Sequence, residues 1–287
     1  MTSAAATIWP AMSVDEYAAL ESAMGARLVR SGDVWWRQVR SCFYRPLLPF
    51  LELDPAEVKL PRRALFGGAQ FGVVAGAAAN SLVDLLIFDE PQTYSLNALS
   101  QGSRRHVRRA MNTFAVRPIV DVNEFTATAH EVYLSFFRRT RYGYRRDRTD
   151  KQQFANWASA LFRFPKVQVF GAYREHVLAS VSVSYVVERV AFTATFFSRS
   201  DALQDYVAEL MLHTIRERAA ASDTIHSIFA AAAGMERGLD EFYLRRGARL
   251  VRQPAQLKLN PIVSAALKTL QRDKWRKLRT ANLKATT

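Results

Sequence analysis

Residues 167–197, VQVFGAYREHVLASVSVSYVVERVAFTATFF, constrain the fold of this chain more than any other stretch. Ser180, Ser182 and Ser184 alternate with Val181, Val183 and Tyr185. A period of two sends successive side chains to opposite faces of a strand. Gly171 and the polar pairs Arg174-Glu175 and Glu188-Arg189 punctuate the run. It therefore reads as three strands, 167–173, 177–187 and 190–197, joined by tight turns. A meander of this kind needs helices to cover its apolar faces.

The flanks supply them. Residues 13–30 read as a helix, with Ser13 and Glu16 at capping-box spacing and Tyr17, Leu20 and Met24 on one face. Trp35, Trp36, Phe43 and Tyr44 form a strand-like run broken by Pro46 and Pro49. Residues 64–90 read as a hairpin turning near Asn80-Ser81, and the small residues of its first arm admit another backbone. At 95–114, SLNALSQGSRRHVRRAMNTF opens with Ser95 and continues as a basic helix. A strand (AVRPIV) follows. The next helix, 122–140, has Phe125, Ala129, Val132 and Phe136 in register. Residues 138–151 form an exposed basic loop with Tyr142 and Tyr144, and 153–162 form a further helix. After the meander come a helix over about 202–221, a buried strand 224–232, and a helix closed by Gly247 as its left-handed stop. A last strand runs to Pro261, and 262–287 is a basic helix.

Composition narrows the function classes. The chain has 287 residues, and 40 Lys+Arg against 26 Asp+Glu gives a net charge of +14. Such a charge attracts nucleic acid, acidic lipid or phosphate-rich ligands. Cys42 is the only cysteine, so a disulfide scaffold is excluded; its aromatic neighbours suggest a core position. One Cys and five His cannot build a Cys-type zinc site, so no metal is expected. The most apolar run, 71–79, is about half the roughly 20 residues a membrane span needs. The N-terminus lacks a basic region ahead of an apolar stretch, so the cytoplasm is the expected compartment.

From residue 99 on, the order is helix, strand, helix, helix, three strands, helix, strand, helix, strand. That order resembles the fold of GNAT acyltransferases. YSLNALSQGSRRHVRRA followed by VRPI is similar to the opening of the second GNAT unit in the FemAB-like (peptidoglycan-type aminoacyltransferase-like) branch. GLDEFYLRRGA followed by QPAQLKLNP resembles that branch's closing helix and last strand. The resemblance implies an α/β (α+β layers) fold with a mixed central sheet. It also implies a tandem: a reduced GNAT-like half at 1–93, a FemAB-like GNAT domain at 94–261 and a basic tail at 262–287.

The resemblance further implies transfer of an acyl group to an amine acceptor, with acyl-CoA or aminoacyl-tRNA as donor. The donor would lie along the strand 190–197 and against the following turn, at Thr195, Phe196, Phe197, Ser198, Asp205 and Tyr206, with Phe242 nearby. In acyl-CoA enzymes that turn is a glycine loop. Here it is SRSDALQDY, and no glycine lies between Gly171 and Gly234. The aminoacyl-tRNA-dependent members also lack the loop. Tyr243, four residues before Gly247, matches the general-acid tyrosine position of GNAT enzymes, although the FemAB-like form has Lys there. A phenol, ordinarily titrating near pH 10, can protonate a leaving thiolate or ribose oxygen.

Glu188, His226 and Glu236 are the candidate bases, with His226 read on a buried strand and Glu188 as a turn residue. A polyanion such as tRNA would meet Arg104, Arg105, Arg108, Arg109, Arg145 and Arg146, interleaved with aromatic side chains for stacking. The tail, with Ile262, Val263, Ala266, Leu267 and Leu270 on one side, also fits an anionic membrane surface. No readout of a DNA sequence is expected. A non-catalytic GNAT-like module that binds RNA or anionic membrane is a further alternative.

Overall fold

The computed structural model describes residues 9–140, 145–234 and 237–270. The first half of the chain carries β1 (Ala11–Met12), α1 (Val14–Ala23), β2 (Leu28–Ser31), β3 (Val34–Arg40), β4 (Phe43–Pro46), β5 (Glu52–Leu53), β6 (Gly68–Val73), β7 (Ser81–Asp89), α2 (Gln101–Thr113), β8 (Ala115–Pro118) and α3 (Val122–Thr140). The second carries α4 (Lys151–Phe162), β9 (Gln168–Arg174), β10 (Val177–Val187), β11 (Val190–Ser198), α5 (Val207–Ala220), β12 (Ser227–Ala232), α6 (Arg237–Leu244), β13 (Arg249–Leu259) and α7 (Pro261–Leu270). Two compact units result. Unit one contains the described residues up to Met24 with Phe88–Ala230; unit two contains Gly25–Ile87 and the described residues from Ala231 on.

The expected meander is the centre of unit one. The order is β12-β11-β10-β9-β8, with β9, β10 and β11 antiparallel and β12 parallel to β11. Glu175 and Glu188 turn the chain with φ of 55° and 52°. Beyond Val177, β10 is buried on both faces, serines included. The serine hydroxyls are satisfied locally: Ser180 Oγ lies 2.8 Å from Ser198 Oγ, and Ser182 Oγ 3.1 Å from Ser184 Oγ. Small hydrogen-bonded side chains can face helices without leaving an orphaned polar group.

Neighbouring residues of β11 identify the two layers. Phe197 meets Tyr133 of α3 edge-on at 5.3 Å, whereas Phe196 packs against the cluster that contains Val207, Leu210 and Met211 of α5. Adjacent strand residues point to opposite faces, so α3 and α5 cover opposite faces of the sheet. On the α3 side, Phe125 stacks with Phe154 of α4 at 5.6 Å and 15° and meets Trp157 at 5.6 Å.

The helix expected over 13–30 ends earlier. Ser13 and Glu16 do form the capping box, but α1 stops at Ala23, Gly25 takes φ 88°, and Leu28–Ser31 is strand β2. The basic helix α2 is capped by Ser100; Ser95 caps a separate 3₁₀ turn at Leu96–Ala98.

A buried polar cluster in unit one sets a pH dependence. Tyr94 Oη lies 2.8 Å from His213 Nδ1, and the Arg216 guanidinium sits 3.9 Å over the Tyr94 ring. Burial pushes the Tyr94 phenol up to about 12 and holds the His213 imidazole below its ordinary value. The phenol's folded value exceeds its unfolded value near 10, so its contribution is intact below about pH 10 and is lost as pH rises towards 12. The imidazole has the opposite sense: its contribution is intact above about pH 6.5 and is lost as pH falls below it. Urea unfolding of wild type and Tyr94→Phe at about pH 8 and about pH 11 tests the alkaline limb. The variant is expected to lose less stability between the two; an equal loss refutes the assignment.

Unit two corrects the expected 64–90 hairpin. β6 and β7 do not pair with each other; β13 lies between them, antiparallel to both. The small residues of β6 accept that strand. A Cβ on Gly68 would meet the Lys258 carbonyl and Leu259 Cδ2, and one on Gly72 would lie 2.5 Å from Gln253 Nε2. The aromatic run forms the β3–β4 hairpin, with Cys42 half-buried in its turn at φ 56°, not in the core. Trp36 and Phe71 meet edge-on at 5.9 Å in the core of this unit.

Candidate active site

The strand expected to carry the donor, β11, parts from its neighbour early. β11 pairs with β12 over only three residues, Val190–Phe192 against Ser227–Phe229. Thr193 makes the last link, its hydroxyl donating to the Phe229 and Ala230 carbonyls at 3.3 and 3.0 Å. Register against β10 then shifts: Val183 opposes Thr195 while Tyr185 opposes Phe192, so β11 carries an extra residue. A bulge bends and re-aims a strand. Beyond it, Ala194 is exposed, Thr195 and Phe196 are half-buried, and Phe197 and Ser198 are buried. No strand among the described residues pairs with the far edge of 194–198.

The turn after β11 ends in a strained residue. The helix expected from about 202 instead starts at Val207, behind a 3₁₀ turn at Leu203–Asp205. Tyr206 caps α5 in the left-handed region, φ 62° and ψ 30°, with no side-chain capping bond. A non-glycine residue there costs on the order of 1 kcal/mol and needs surrounding support. The support comes from α2: the His106 ring stacks on Tyr206 at 3.9 Å and 8°, and Arg109 lies 5.6 Å from the ring centroid.

Asp205, just before, holds an arginine on each oxygen. Arg109 reaches Oδ1 at 3.1 Å, and Arg174 pairs with Oδ2. Arg139, in the expected basic loop 138–151 but at the end of α3, donates to the Ser198 carbonyl at 3.2 Å and to Ser200 Oγ at 3.0 Å. Arg199 pairs with Asp201 at 3.1 Å. The turn is thus surrounded by arginines whose charge its own aspartates partly neutralise.

No protein-family model matches the chain, and no curated protein matches it. Solved structures do. The C-terminal domain of a putative lysylphosphatidylglycerol synthetase from Agrobacterium fabrum superposes with a TM-score of 0.58 at 12% identity, covering 92% of each chain. FemX gives 0.59 at 11% identity over 89% of this chain and 93% of its own. L-PGS from Bacillus licheniformis gives 0.53 at 11% identity over 89% and 90%. The fold is GNAT-like, of the FemAB-like kind.

Within this GNAT-like fold, unit one brings together Thr195, Phe196, Phe197 and Ser198 on β11, Asp205 and Tyr206 ahead of α5, and Arg109 on α2. Arg105 and Arg108 are exposed on α2, and Arg104 is half-buried. Arg145 is a left-handed residue (φ 64°) whose carbonyl accepts from Tyr133 Oη at 2.8 Å, and Arg146 is exposed. Tyr142 and Tyr144 lie outside the described residues. His226 is exposed and precedes β12, so the expected buried-strand position is corrected. Glu188 occupies the β10–β11 turn, and its amide donates to the Met12 carbonyl.

Unit two carries Phe242 and Tyr243 on α6. Tyr243 is buried, and its ring meets Phe242 edge-on at 5.1 Å. Arg246 lies 3.8 Å over the Phe242 ring and donates to its carbonyl at 2.8 Å. Gly247 takes φ 90°, the left-handed stop read from the sequence. Glu236 lies outside the described residues.

A carboxylate the sequence reading missed sits in the same unit. Asp84 of β7 is opposite Arg252 of β13, and its backbone carbonyl accepts from Ala233. Burial pushes its carboxyl up, opposed by Arg252 and reinforced by Asp240 of α6. The available signal was a lone acid inside the apolar run LVDLLIF. Among the described residues no group of His, Cys, Asp and Glu is arranged to hold a metal, and no helix is long and apolar enough to cross a membrane.

Proposed function

We propose that this chain is a transferase that moves an aminoacyl group from tRNA to an amine-bearing acceptor, a peptide, lipid or small molecule. The observation that carries the transfer reading is the opening of β11 beyond Phe192, where the pairing with β12 ends and a bulge re-aims the strand. Backbone amides of that segment would stabilise the oxyanion as the amine attacks. The C–N bond forms and the ester C–O bond breaks. The ammonium proton leaves to water, and a general acid returns one to the departing ribose oxygen; Tyr243 is our candidate for that acid on its match in sequence. Two of the similar structures are named as a lysylphosphatidylglycerol synthetase and as L-PGS, which fits an aminoacyl donor and a lipid-borne acceptor.

Asp205 favours the aminoacyl donor. A helix start ordinarily welcomes a pyrophosphate. Here a carboxylate already holds Arg109 and Arg174 at that turn, so coenzyme A would meet an anion and two occupied arginines. Thermal shift tests this directly. Charged tRNA is expected to raise the melting temperature, and coenzyme A and acetyl-CoA are not. The tRNA effect is expected to fade steeply between about 50 and 200 mM salt. Asp205→Ser, which frees both arginines, is expected to gain stabilisation by coenzyme A. Stabilisation of the wild type by coenzyme A, with none by charged tRNA, would replace the donor with acyl-CoA.

A further inference from the structure

Unit two exposes large apolar side chains in one place. Leu65 is 71% exposed, Phe66 72% and Ile262 79%. Asn260 ties them together: its Nδ2 donates to the Leu65 carbonyl at 2.8 Å, and its Oδ1 accepts from the Ile262 amide at 2.9 Å. Ala266 and Leu270 follow Ile262 at four-residue steps on the same face of α7, and both are exposed. Ala64, buried between Arg63 and Leu65, anchors the turn that presents Leu65 and Phe66 outward. A soluble chain has no folding reason to display a leucine, a phenylalanine and an isoleucine together at such exposure.

The same turn borders a basic groove. Arg62 and Arg63, both exposed, line a cavity of about 540 Å³ together with Arg27, Arg30, Gln38 and Tyr44. Its lining contains no carboxylate. An arginine fork matches phosphate oxygens in geometry as well as charge. Arg62 and Arg63 therefore belong to the groove while Leu65 and Phe66 extend from the same short turn. Beyond α7 the sequence adds Arg272, Lys274, Arg276, Lys277 and Arg279.

We propose that unit two docks on an anionic membrane: Leu65, Phe66 and Ile262 enter the headgroup layer, and the arginine groove takes lipid phosphates. An apolar wedge beside a basic cradle provides two weak signals whose sum gives stable interfacial binding. Neither signal depends on the transfer reaction, so this surface stands or falls separately from the proposed activity.

The test is co-sedimentation of the full chain with vesicles of pure phosphatidylcholine and of an equal mixture of phosphatidylcholine and phosphatidylglycerol. Binding is expected only to the mixed vesicles and is expected to weaken with salt. Leu65→Ser/Phe66→Ser and Arg62→Gln/Arg63→Gln are each expected to lower the partition coefficient on the order of tenfold. Both pairs are exposed, so both variants are expected to melt with the wild type, which separates lost docking from lost folding. Wild-type partition in either variant overturns the proposal. So does a wild-type dimer that the Leu65→Ser/Phe66→Ser variant converts to monomer, because the apolar patch is then a self-association face. Absence of vesicle binding alongside tight binding of a short RNA that Arg62→Gln/Arg63→Gln abolishes also overturns it, and assigns the groove to nucleic acid.

Discussion

Tyr243→Phe is expected to lower the rate of aminoacyl transfer about 10²- to 10⁴-fold, the usual contribution of a positioned proton donor. The substitution removes one oxygen from a buried ring that packs edge-on against Phe242 and leaves that packing in place. Its stability cost is about 1 kcal/mol, the net value of a typical hydrogen bond. Rate and fold therefore respond on different scales. Loss of aminoacyl ester from charged tRNA, followed with and without an amine acceptor, reads the rate; thermal unfolding reads the fold. An acid acting on the leaving ribose oxygen affects kcat more than KM. An unchanged turnover removes Tyr243 from the mechanism. A fall in rate matched by a collapse in melting temperature assigns it to the core instead.

Phe125→Ala is expected to cost about 3–5 kcal/mol, a large share of the roughly 5–15 kcal/mol that holds a domain together. Phe125 is fully buried. Its ring contacts Phe154 and Trp157 at 5.6 Å and Phe162 at 5.4 Å, so it packs against three aromatic rings of α4 at once. Truncation leaves a cavity among large rings that cannot easily close around it. Urea unfolding checks the value, with Phe125→Leu as the smaller truncation, expected to lose less. If the two units unfold in separate steps, the loss belongs to the step of unit one. A cost under about 1 kcal/mol would mean that the cluster is not the core the ring geometry describes.

Legibility followed the range of the interactions. The meander was readable because its period, its turns and its pairing are all local; the observed 168–174, 177–187 and 190–198 agree with the reading to within a residue. The helix 122–140 was equally local. Several of the misses depend on partners distant in sequence. Tyr206 breaks the helix expected from 202 and is supported by His106 and Arg109, about a hundred positions earlier. Apolar neighbours made His226 look buried, but β12 begins one residue later. The pairing of Arg109 and Arg174 with one carboxylate needs α2, β9 and the turn before α5 to converge, which no spacing encodes. Asp84 was passed over inside an apolar strand.

β13 has a consequence for the order in which the protein is made. It is the last strand among the described residues, yet it lies between two strands completed more than 150 residues earlier. While the ribosome is still reading the middle of the chain, β6 and β7 each present an unpaired edge with no neighbour to accept it. Open edges of this kind template wrong pairings. Every strand of the 167–198 meander is adjacent to its successor and can close at once. The nascent chain thus carries one unit able to finish early and another waiting on its final strand. Any truncation before Arg249 leaves that second sheet permanently split along its middle.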